Sequence, residues 1–92
     1  MYLTKLISAT DSEDKPYTDW RKIKYVGKVG LLEFVKTTNG GNCFRWRLTE
    51  GNAVIEKGIR SSRIVEVKGE TGELTVYTLN SKYVFQVIRM YV

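Results

Sequence analysis

From Ile23 onward, apolar and polar residues alternate with a period of two, the spacing that sends successive side chains to opposite faces of a sheet. Phe44, Trp46 and Leu48 fall on one face of a segment whose other face carries Cys43, Arg45, Arg47 and Thr49. Leu74, Val76 and Thr78 alternate with Glu73, Thr75 and Tyr77, and Ile64, Glu66 and Lys68 with Arg63, Val65 and Val67. Between these runs stand Asn39-Gly40-Gly41-Asn42, Glu50-Gly51-Asn52, Lys57-Gly58, Lys68-Gly69-Glu70-Thr71-Gly72 and Asn80-Ser81, residue types suited to tight turns. The pattern predicts strands over residues 2–8, 25–29, 31–37, 43–50, 53–57, 63–68, 73–79 and 82–91. Short strands at this spacing imply a mostly β fold, a small antiparallel barrel or sandwich of the SH3-like or OB-like kind. At most one short helical turn fits, over residues 18–24 with Thr18 or Asp19 as its cap.

Two segments depart from simple alternation. In the last one, Tyr83, Phe85, Val87 and Tyr91 share one face while Val84, Ile88, Met90 and Val92 share the other, so both faces are apolar. Such a strand is either buried twice, where it crosses between sheets, or packs one face on a second copy as a homodimer through the C-terminal strand. Residues 9–19 form an acidic loop that holds the only proline, Pro16, and sets Asp11, Glu13, Asp14 and Asp19 against Lys15. It exceeds the usual connection of about 4–6 residues. The expectation is an excursion or mobile flap that can fold over a basic face and compete with an anionic ligand. The acids lack the central glycine and distal glutamate of a calcium loop, so no metal is expected there.

Composition narrows the chemistry. The chain has 92 residues with 42% hydrophobic and 12% aromatic content, which fits a single domain over residues 1–92 that folds without staples. It has one cysteine and no histidine. An internal disulfide is impossible, and the commonest general base and metal ligand are absent, so the expectation is a non-enzyme without cofactor or metal in a reducing compartment. Lys5 interrupts the only apolar stretch near the start, and the longest uncharged apolar run, residues 83–88, is far short of a bilayer span. A cytoplasmic protein with no membrane contact is therefore expected. Neither the glycines Gly27 and Gly30 nor Gly40-Gly41 match a phosphate-loop or dinucleotide pattern.

Charge is the strongest local feature. The net +5 of the chain is concentrated between Trp20 and Arg47, where Arg21, Lys22, Lys24, Lys28, Lys36, Arg45 and Arg47 face only Glu33. Clusters of this kind bind phosphate backbones, and exposed aromatics beside them stack on bases. Trp20, Tyr17 and Tyr25 are the stacking candidates, while Trp46, between Phe44 and Leu48, reads as core. Arg45 and Arg47 on one strand face suit a phosphate or a carboxylate. Cys43 shares that face and reads as a plain unpaired thiol, since no histidine could activate it.

The C-terminal third adds a resemblance. Ser61-Ser62-Arg63-Ile64-Val65, followed by Thr78-Leu79-Asn80-Ser81-Lys82-Tyr83, resembles a pattern of small uncharacterised β proteins encoded by bacteriophages and prophages. The resemblance covers less than half the chain and implies a phage accessory protein, with no catalytic residues. Two function classes follow: a module that binds nucleic acid non-specifically through a basic sheet face, or a protein-interaction module such as a phage inhibitor that engages an acidic host partner.

Overall fold

A computed structural model describes residues 1–91. The strands are β1 (Tyr2–Asp11), β2 (Val29–Lys36), β3 (Asn42–Glu50), β4 (Ala53–Arg60), β5 (Ile64–Glu70), β6 (Glu73–Thr78) and β7 (Ser81–Met90), with one helical turn, α1 (Trp20–Ile23). All seven join one antiparallel sheet in the order β4-β3-β2-β1-β7-β6-β5. The mostly β expectation holds, but the sheet is neither closed into a barrel nor split into a sandwich. β4 pairs only with β3 and β5 only with β6.

The sheet instead bends over its own core. Phe44 of β3 and Phe85 of β7 have ring centroids 5.5 Å apart, although two strands lie between theirs and each step across a flat sheet is about 4.8 Å. Leu6, Leu32, Phe44, Trp46, Val76 and Phe85 meet in this concavity with no exposed surface. The residues joining the two edge strands cross the open side. There the Ser61 N–H donates to the Phe44 carbonyl at 3.0 Å, the Phe44 N–H to Ser61 Oγ at 2.8 Å, and the Leu79 N–H to the Arg63 carbonyl at 3.0 Å.

Trp46 organises the centre. Its Nε1–H donates to Thr4 Oγ1 at 3.0 Å, and that hydroxyl donates to the Gly30 carbonyl at 3.1 Å. The indole lies directly over Gly30, where any Cβ would overlap its six-membered ring. The buried indole nitrogen is thus satisfied inside a dry core, as a buried donor requires.

Several predicted boundaries shift. β1 runs to Asp11, so residues 9–11 are strand and the loop begins at Ser12. Bulges against β7 between Leu3 and Thr4 and between Leu6 and Ser8 break the period and conceal this extension. The loop is also pinned and not a free flap. Asp11 Oδ1 accepts from the Glu13 and Lys15 N–H groups at 2.8 and 2.9 Å, Thr10 bridges Pro16, and Asp14 meets Lys82 Nζ at 3.2 Å. Of its acids, Asp14 anchors near the start of β7, Asp11 closes the loop on itself, Glu13 pairs with Lys15, and Asp19 meets Arg21. Asp14 raises the Lys82 ammonium above its ordinary value, through the hydrogen bond first and charge second.

Residues 24–27 are turn and Lys28 is irregular, with strand β2 beginning only at Val29. Three successive short bonds explain this, from the N–H of Lys24 to the Trp20 carbonyl, Val26 to Ile23 and Lys28 to Tyr25, and Gly27 closes the turn at φ 87°. β7 lies between β1 and β6 with both edges occupied. It is not buried on both faces, because Ile88 and Met90 are more than half exposed.

Candidate nucleic-acid interface

The alternation of β3 drives Phe44 and Trp46 inward and leaves Arg45 and Arg47 on the outer face of the sheet. Arg45 is held on Glu33 at 2.7 Å across β2 and stands opposite Arg60 on β4. Arg47 stands opposite Gly58. A bulge between Arg47 and Thr49 carries β4 beyond its predicted end at Lys57 to Arg60, and Gly58 permits it: a Cβ there would overlap the Trp46 carbonyl oxygen.

α1 supplies the second group. Asp19 caps it by accepting the Arg21 N–H at 2.9 Å, and its carboxylate also meets the Arg21 guanidinium at 3.3 Å. The Arg21 backbone bond first, and its side chain second, hold the Asp19 carboxyl below the ordinary aspartate value. That interaction is present above the ordinary aspartate range and is lost as pH falls through the lowered value. Lys22 Nζ lies 4.3 Å from the Tyr17 ring centroid, and the Tyr17 hydroxyl bonds the Asn80 carbonyl and Ser81 Oγ, which ties α1 to the start of β7. Trp20 opens α1 with 70% of its surface exposed.

These groups converge along β4. On the outer side, Arg45, Arg47, Lys57 and Arg60 line a groove of about 140 Å³, with Glu56 as its only acid. On the core side, Arg21, Lys22 and Arg60 ring a groove of about 230 Å³ floored by Ile59 and Tyr83. Burial holds the Tyr83 hydroxyl above its ordinary value, so it stays neutral. A third groove, of about 340 Å³, is lined by Arg60, Arg63, Ser61 and Thr37. Arg60 belongs to all three.

Not every expected residue joins: Trp20 is exposed beside Arg21 in sequence but lines none of the three grooves. Tyr25 is buried with its ring 5.5 Å from Trp46, so it is core and cannot stack on a base. Lys24 lies over that ring at 5.1 Å. Lys28 and Lys36 are exposed but line none of the three grooves. Conversely, Lys57 and Arg60 escape the sequence reading because Lys57-Gly58 looks like a turn, and Arg63 because its predicted strand shows no cluster of cations. The signal for the first two was Ile59 beside Arg60, a renewed alternation directly after the glycine.

Cys43 is free and buried, against the third groove. Among the described residues, no group of three or more His, Cys, Asp or Glu could hold a metal ion, and no helix is long and apolar enough to cross a membrane. No protein-family model, curated protein or solved structure matches the chain.

Asp19 both caps α1 and occupies Arg21. Asn caps about as well as Asp, so Asp19→Asn is expected to keep α1 while freeing the guanidinium. Anion affinity along β4 should rise a few-fold at low salt, measured by anisotropy of a labelled oligonucleotide; a fall would show that the carboxylate orients Arg21 for its ligand.

Proposed function

We propose that this chain is a non-catalytic module that binds nucleic acid without strong sequence preference, with the β4 edge as its contact surface. The reading rests on one observation: Arg21, Lys22, Arg45, Arg47, Lys57 and Arg60, which lie on three separate elements, line adjoining grooves that share Arg60. Phosphate oxygens suit such a row, and release of condensed counterions drives the association. The bent sheet is read as an opened relative of SH3-like and OB-like barrels, the latter a frame that elsewhere carries oligonucleotides on its sheet face. The setting is a cytoplasmic phage or prophage accessory protein.

The second reading, a phage inhibitor directed at an acidic host protein, is favoured by the unpaired edge of β4 itself. An extended acidic peptide could add there as a further strand beside the same cations. Titration of labelled oligonucleotides at several salt concentrations separates the two. Contact with about four phosphates gives a log–log slope near −2.8 for a single strand and near −3.6 for duplex. Absence of binding at low salt overturns the nucleic-acid reading and leaves the acidic peptide as the ligand to test.

A further inference from the structure

The two smaller grooves open on opposite sides of one strand. Arg45 and Arg47 belong to the outer face, because Trp46 between them points into the core, whereas Tyr83, which lines only the groove of Arg21 and Lys22, packs against that core from the inner side, and Gly58 and Ile59 line both grooves. Arg60, the last residue of β4, lines both. A ligand that satisfies all these cations must therefore turn around a sheet edge within the width of a strand.

Duplex DNA resists such a turn, since its persistence length is about 50 nm, and its bases are stacked on each other. A single strand bends freely and offers base faces to aromatic side chains. We infer that the ligand of this edge is single-stranded nucleic acid, running from Arg45, Arg47 and Lys57 around Arg60 to Arg21 and Lys22. The inference rests on the proposed function and names its ligand class. Trp20, adjacent to Arg21 and the most exposed large apolar side chain, is the stacking platform. The partly buried Ile59 and Tyr83 give the core-side groove an apolar floor against which a second base can lie. Asp19, Glu33 and Glu56 border the path, so they compete with phosphate for Arg21 and Arg45 and limit the affinity.

The test uses a labelled oligonucleotide of about 12 nucleotides, within the 4–16 that one small β module covers, as deoxyribose and ribose single strands and as a duplex of the same sequence. Single strands are expected to bind at least about tenfold tighter than duplex and to quench the fluorescence of Trp20, and whichever sugar binds better distinguishes DNA from RNA. Trp20→Ala should weaken single-strand binding by about 5- to 100-fold, the range of stacking on one base. Arg60→Glu should weaken it more than Lys68→Glu, an equal change of charge on the opposite edge strand β5. Circular dichroism checks that each variant is folded. Duplex binding as tight as single-strand binding, or a Trp20→Ala variant that binds as the parent does, overturns the single-strand inference while the basic-edge reading stands. Loss of all binding at low salt overturns both.

Discussion

Trp46→Ala is expected to remove a large share of the protein's stability. Removing a buried aromatic side chain of this size costs about 3–5 kcal/mol, and a small domain holds about 5–15 kcal/mol in total. The indole has no exposed surface, covers Gly30, packs at a tilt against the Tyr25 ring with centroids 5.5 Å apart, and holds Thr4 through Nε1. The midpoint of a melt followed by circular dichroism should fall by roughly 12–40 °C, using about 4–8 °C per kcal/mol for a domain of this size. Thr4→Val isolates the polar part of the same site. It strands the indole N–H and the Gly30 carbonyl in a dry interior, at about 1–3 kcal/mol. A Trp46→Ala protein that melts within a few degrees of the parent would show that β2, β3 and the turn at Tyr25 do not depend on the indole.

Gly58→Ala is expected to dismantle the basic edge as well as destabilise the fold. The added methyl would occupy the position of the Trp46 carbonyl oxygen, a backbone atom that no rotamer change can move aside. β4 must then shift away from β3, at a cost of at least about 1–3 kcal/mol. Because Gly58 lines two of the three grooves that share Arg60, the shift also separates Arg60 from Arg45 and from Arg21. Oligonucleotide binding should drop about tenfold or more under conditions where the variant is still folded. Gly51→Ala serves as a comparison. Its Cβ would meet open space, so it costs only the left-handed conformation at φ 60°, about 1–2 kcal/mol, with no effect on binding. Equal loss of binding in the two variants would mean that general destabilisation, and not the position of β4, controls the edge.

Gly58 also marks the limit of reading this chain as a string. Clean alternation in β3 and β6 located the inward Phe44, Trp46 and Val76, and the polar pair before Trp20 narrowed the cap of α1 to Thr18 or Asp19, of which the structure uses Asp19, because these depend on neighbours one to three residues away. Bulges defeat the same reasoning: the register shifts in β1 and β4 move the inward positions by one, so residues 9–11 look like loop and Arg60 looks like the far side of a turn. Tyr25 fails for a related reason. Its neighbours Lys24 and Val26 suggest a strand, but local carbonyl bonds and Gly27 turn the chain and deliver the ring to Trp46.

By itself, then, the sequence determined that the chain would be antiparallel β with a Trp46-centred core and a cationic region between Trp20 and Arg47. Only the tertiary structure decided that the sheet stays open, that Asp14 docks on Lys82 near the start of β7, and that cations from α1, β3 and β4 share grooves around Arg60. The physical reason is range. Alternation, caps and turns are set by adjacent residues, whereas closure, bulge register and the gathering of charges depend on how a seven-stranded sheet bends around side chains brought together from distant parts of the chain.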